Sequence, residues 1–86
     1  MLSQVALARA FASLHVSGSP LVLPNAWDVA SARVVAAAGA AAVATTSAGV
    51  AWAHGSADGN RLARTDAVAA VAAIVRAVEA PVSADI

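Results

Sequence analysis

The six residues Pro81-Val82-Ser83-Ala84-Asp85-Ile86 read as a buried strand that delivers a carboxylate at its C-terminal tip. Two earlier runs end in the same manner. Leu21-Val22-Leu23 leads into Pro24-Asn25-Ala26-Trp27-Asp28, and Ala42-Val43-Ala44-Thr45 leads into Thr46-Ser47-Ala48-Gly49. Helical patterns separate the three runs, and short apolar strands joined by helices pair in parallel through right-handed crossovers. In parallel sheets and barrels the C-terminal strand ends share one rim, where active sites form. The expected fold is α/β, in the order α-β-α-β-α-β. A closed (β/α)8 barrel takes about 250 residues, so residues 1–86 are read as its N-terminal portion. That portion holds a leading helix, the first three strands and two intervening helices, with the rest of the domain absent.

Working outward from the strands, each helix has its own punctuation. Ser3 is placed to cap a first helix to about His15, with Leu7, Phe11 and Leu14 forming one apolar stripe. Ser17-Gly18-Ser19-Pro20 breaks it. Asn25 or Asp28 caps the second helix, which runs through Val29, Ala32 and Val35 to Ala38 and stops at Gly39. Ser47 to Arg64 reads as a long loop, and connections well beyond about 2–6 residues in α/β units tend to be functional. Thr65 is the expected cap of the last helix, with Asp66 in its first turn. Val68, Val71, Val75 and Val78 form its expected buried stripe, and Ala80-Pro81 its end.

Composition narrows the function classes. Apolar residues make up 60% of the chain and charged residues 12%, against about 45–50% and 25% in ordinary domains. The surplus implies apolar faces that other structure must cover. The formal net charge is zero, which leaves no basic patch for nucleic acid. Without cysteine there is no disulfide, thiolate metal site or cysteine nucleophile in these residues. Arg9 interrupts the apolar opening, which argues against a secretory signal. The uncharged run Val34 to Ala53 is long enough for a membrane span, but its Ala, Gly and Thr content fits a helix, turn and strand better. A cytoplasmic protein, with neither a nucleic-acid nor a membrane partner, is the expectation. No G-x-G-x-x-G or G-K-[ST] pattern follows a strand, so dinucleotide and P-loop sites lose their support.

Several residues remain for chemistry. Ser47-Ala48-Gly49 follows a strand, where small residues admit an anion to backbone N–H groups and a hydroxyl adds a donor, or it is a plain turn. Asp58 either holds a metal's water or makes an Asx-turn. Asp85, at the tip of an apolar strand, suits a hard cation such as Mg²⁺, or else a salt bridge or helix cap elsewhere. Arg61 and Arg64 could clamp a carboxylate, although loop arginines commonly pair with nearby acids. Trp27 is read as packing over the barrel end, His54 as a solvated loop residue and His15 as without a catalytic role.

Taken in order, Leu23-Pro24-Asn25-Ala26-Trp27-Asp28 with Ser31-Ala32, Ala44-Thr45-Thr46-Ser47-Ala48-Gly49, Asp58-Gly59-Asn60 with Leu62 and Arg64-Thr65-Asp66, and Pro81-Val82-Ser83-Ala84-Asp85 resemble the N-terminal part of the isocitrate lyase/phosphoenolpyruvate mutase family. That resemblance implies an α/β barrel using Mg²⁺, with Mn²⁺ possible, and a small α-oxo carboxylate substrate. Such enzymes make or break a C–C or P–C bond beside the carbonyl through an enolate-like intermediate, and a homo-oligomer is expected. It matches Ser47, Ala48 and Gly49 to the loop that holds the substrate carboxylate. Asp58 matches an acid in the metal's water shell, and Asp85 the second Asp of a D-x-D metal motif. Ser83 departs from the pattern, standing where many members carry the first Asp, so either weaker Mg²⁺ binding or a different use of Asp85 is implied. No catalytic residue is assigned within these residues, because the family's next metal carboxylate and its lyase cysteine fall beyond Ile86. The competing expectation is a non-catalytic structural or assembly module.

Overall fold

The computed structural model describes residues 3–59 and 61–85. Ile86, the expected last residue of the third strand, and Asn60 of the central loop lie outside the described residues. Among the described residues four helices and three strands follow in the order α1 (Gln4–Ser13), β1 (Asn25–Ala26), α2 (Val29–Ala37), β2 (Val43–Thr45), α3 (Ser47–Ala53), α4 (Arg64–Ala77) and β3 (Val82–Ser83). The strands form one sheet in the order β1-β2-β3, and both pairings are parallel. This is the expected alternation with one extra helix, α3.

Local chemistry explains most of the boundaries. Ser3 caps α1 by accepting from the Ala6 N–H at 3.1 Å, and Leu7, Phe11 and Leu14 are its half-buried face. Of the two candidate caps for α2, Asp28 is the one used. Its carboxylate accepts from the Ser31 N–H at 2.7 Å while the Ser31 hydroxyl accepts from the Asp28 N–H at 3.1 Å, a reciprocal capping box. Past the end of α2 the backbone turns through Gly39 at a φ of 101°, a left-handed conformation that glycine adopts without steric cost.

Several expectations are corrected. The first strand is Asn25–Ala26, not Leu21 to Leu23, and Val22 is 76% exposed. Pro24 has no N–H to donate, and its carbonyl, which accepts from Ala44 at 3.0 Å, is where pairing begins. The third strand is half-buried and ends at Ser83, with Asp85 exposed. Helix α4 starts one residue before Thr65, with Ala63 at its cap position and no side-chain cap, and ends at Ala77. Its buried residue is Ile74, whereas Val68 is exposed. At 3.6 residues per turn Val68 lies about 120° around the helix from Ile74, on the flank of the packed face.

The core is small. Ala26, Ala32, Val43 and Ile74 are fully buried together, with Val35, Val78 and Val82 packed against them. Thus β1, β2, α2 and α4 meet around Val43 and Ile74 with two alanines between them, and α2 and α4 pack closely. That packing aligns the C-terminal ends of β2 and β3 beside α3.

Candidate functional site

The end of β2 is the organising point. Thr46, one residue past the strand, donates its N–H to the Ala26 carbonyl at 3.2 Å and so ties β2 to β1. Its hydroxyl then accepts from the Gly49 N–H at 3.4 Å, capping α3. The expected long loop from Ser47 to Arg64 is therefore helical over its first seven residues, which leaves only the part after His54 as loop. The Thr46 cap and the run Ala48-Gly49-Val50-Ala51-Trp52-Ala53 carried that signal, and the glycine obscured it. Val50 and Ala51 are the buried residues of α3, and α3 packs on α4.

Gly49 is required by close approach rather than by backbone conformation. A Cβ there would stand 2.7 Å from Thr46 Cγ2 and 3.0 Å from Trp27 Cβ. Trp27 thus sets its Cβ against the first turn of α3, while the residue as a whole is 44% exposed. His54 sits at the C-terminal cap of α3 with Nδ1 2.9 Å from the Val50 carbonyl. A carbonyl can only accept, so Nδ1 carries the proton in this contact.

Between α3, α4 and the tip of β3 lies a cavity of ≈ 280 Å³. Val50 and Ala51 of α3 and Ala67 and Val71 of α4 give it apolar walls. Its polar lining comes from Ser47, Asp58, Arg61 and Asp85. Three of the five residues singled out for substrate or metal, Ser47, Asp58 and Asp85, are brought together here from positions spread over the second half of the chain. Ala48 and Gly49 stand beside Ser47 in the first turn of α3 but do not line the cavity. Arg61 does, and Arg64 does not. Ser83 lines a different groove, with Leu7 and Phe11 of α1 and Val75 of α4.

Thr45 is the site residue that sequence reasoning missed. It is buried, with 3% of its surface exposed, and its hydroxyl accepts from the Asp85 N–H at 3.1 Å. Among the described residues no three His, Cys, Asp or Glu side chains gather into a metal cluster, so Asp58 and Asp85 are the carboxylates the cavity offers.

A family model described as phosphoenolpyruvate phosphomutase matches residues 11–86. This chain belongs to the phosphoenolpyruvate phosphomutase family. The residues match the N-terminal part of that isocitrate lyase/phosphoenolpyruvate mutase group. Two solved proteins of Burkholderia cenocepacia J2315 share the fold. A candidate phosphonomutase superposes with a TM-score of 0.88 at 48% identity, over 92% of this chain and 32% of its own. A candidate lyase/mutase superposes with a TM-score of 0.88 at 43% identity, over 95% of this chain and 29% of its own. Uncharacterized proteins from two strains of Mycobacterium tuberculosis, CDC 1551 / Oshkosh and H37Rv, are 48% identical over 64 residues, 74% of this chain. The chain spans 25% of the length of those curated relatives. Its sheet and helices are a parallel α/β unit of the kind found in these mutase-like proteins, and the family is one of phosphonomutase- and lyase-like enzymes. No described helix is long and apolar enough to cross a membrane.

Proposed function

We propose that residues 1–86 are the opening part of a (β/α)8 barrel in a Mg²⁺-dependent mutase or lyase. Its substrate is a small α-oxo carboxylate. The reaction makes or breaks a C–C or P–C bond beside the carbonyl, through an enolate-like intermediate. The observation that carries this reading is the meeting of Ser47, Asp58 and Asp85 around one cavity at the shared rim of β2 and β3, in a chain of this family.

The donor set fits the metal. Mg²⁺ is held by oxygen donors, needs only one or two protein carboxylates, and completes its shell with water and substrate oxygens. Asp58 and Asp85 supply that number. When bound, the ion supplies Lewis-acid polarisation of the substrate carbonyl and a template for its oxygens. Asp85 would hold the ion or one of its waters and Asp58 a water of its shell. Ser47 orients the substrate carboxylate, while Ala48 and Gly49, which do not line the cavity, complete the turn that presents it. Gly49's own N–H is engaged by Thr46, which leaves the Ser47 hydroxyl and the preceding N–H groups as donors. The apolar walls from Val50, Ala51, Ala67 and Val71 exclude water around the reacting carbonyl, where fixed charges act more strongly.

The test is turnover of oxaloacetate, a methylisocitrate-like acid and phosphonopyruvate by the complete protein, with and without Mg²⁺ or Mn²⁺. Metal-dependent turnover of one of them is expected, and Asp85→Ala should lower it by orders of magnitude without loss of fold. Absence of turnover together with absence of oxalate or pyruvate binding would refute the proposal. One observation favours the second reading, a non-catalytic assembly module: Ser83 occupies the place of the family's first motif Asp, and it faces another groove. A complete protein that binds neither metal nor oxalate would support that reading.

A further inference from the structure

We infer that Thr45 is a positioning residue for Asp85: its buried hydroxyl, at the end of β2, holds the backbone from which the candidate metal carboxylate projects. The inference rests on the proposed role of Asp85 at the metal and concerns how that carboxylate is kept in place.

The parallel register pairs Val43 with Val82 and Ala44 with Ser83. Continued by one residue it sets Thr45 against Ala84, and Asp85 falls one residue beyond. Strand β3 stops at Ser83, so Asp85 lies past regular pairing and is exposed. A carboxylate at a frayed strand tip would sample many positions, whereas a metal ligand or water-holder must stay within about 0.5 Å of its place. The Thr45 hydroxyl supplies the missing tie, accepting from the Asp85 N–H at 3.1 Å across 40 positions of sequence.

The residue type fits this task. Thr45 shares its strand face with Val43, two residues earlier, and is as tightly enclosed, at 3% exposure against 0%. A valine would fill such a position without the cost of burying a hydroxyl, a cost that is large when the hydroxyl is left unbonded. The hydroxyl is compensated by the bond to Asp85. Its neighbour Thr46 uses its own hydroxyl to cap α3, the helix that presents Ser47 to the same cavity. Two consecutive threonines thus set two walls of the site from one strand end, the first through Asp85 and the second through Ser47.

The experiment is a Mn²⁺ titration of the complete protein by electron paramagnetic resonance, with hydrogen exchange measured at the Asp85 amide. Thr45→Val keeps the shape and removes the acceptor. It should weaken Mn²⁺ about tenfold or more, as outer-shell partners of metal ligands commonly do, and should lose protection at the Asp85 amide. Thr45→Ser restores the acceptor and should bind within a few-fold of the parent. Should Thr45→Val not fold, Thr45→Ser against Thr45→Ala makes the same comparison, since these differ only in the hydroxyl. Asp85→Asn separates the two levels of the argument. If it leaves Mn²⁺ binding intact, the metal reading of Asp85 is wrong. If it abolishes binding while Thr45→Val binds as the parent does, or Ser and Ala behave alike, the positioning role is overturned.

Discussion

Replacing Gly49 with alanine tests how the first turn of α3 is seated beside the site. The new Cβ would approach Thr46 Cγ2 at 2.7 Å and Trp27 Cβ at 3.0 Å, both well inside the favourable carbon–carbon separation of about 3.5–4.0 Å. Neither neighbour moves freely. Thr46 cannot rotate its methyl away without surrendering the hydroxyl that caps α3 at 3.4 Å, and Trp27 Cβ is fixed to the backbone just after β1. Overpacking of this kind costs about 1–3 kcal/mol, and loss of the cap adds about 1 kcal/mol. Alanine's better helix propensity returns about 0.5–1 kcal/mol. The net expectation is a destabilisation of about 1–3 kcal/mol, read as a lower urea midpoint by far-UV circular dichroism on the complete protein. Thr46→Ser deletes Cγ2 and keeps the capping oxygen. In that background Gly49→Ala should cost about 1 kcal/mol less, a coupling of the size expected between touching residues, with the Trp27 contact accounting for the remainder. A Gly49→Ala protein as stable as its parent would show that α3 is not seated against Thr46 and Trp27 in this way, and one indifferent to Thr46→Ser would show that Thr46 is not the obstacle.

Three further outcomes are expected. Hydrogen bonds from the Ser31 backbone N–H and side chain hold the Asp28 carboxyl below its ordinary value of 3.8. Its contribution is therefore complete above that value and lost as pH falls through the lowered folded value, so Asp28→Asn, which still caps α2, should flatten the acid limb of a stability–pH curve. An unchanged limb would show that the cap does not titrate with folding. Ile74→Ala empties the centre of the core, where Ile74 is fully buried; it should cost about 2–5 kcal/mol, and a loss below 1 kcal/mol in urea unfolding would contradict that packing. Residues 1–86 alone should bind a hydrophobic dye, self-associate and lack turnover, because Val22 and Trp52 are 76% and 66% exposed and parallel strands ordinarily have both faces covered. A monodisperse, dye-negative chain with metal-dependent turnover would overturn the partial-barrel proposal.

Much of this protein was legible locally. Ser3, Asp28 and Gly39 marked helix ends because capping is chemistry within a few residues of the chain. The alternation of strand and helix followed from hydrophobic period alone, and the order of the family motifs placed Ser47, Asp58 and Asp85 as candidates. What escaped was decided by contacts between distant segments. Helix α3 forms where a loop was expected because Val50 and Ala51 find a partner in α4. Val68 is exposed and Ile74 buried because the packed face of α4 is chosen by the core formed with β1, β2 and α2, not by the valines' own spacing. The first strand begins only where Pro24 can offer its carbonyl to Ala44. Above all, the bond from Asp85 to Thr45 spans 40 positions and exists only through the register of β2 on β3. Periodicity and caps are properties of a segment, so the sequence by itself determined the alternation of helix and strand, though not helix α3 or the place of the first strand. Which buried hydroxyl meets which strand tip is a property of the register, and only the tertiary structure decided it.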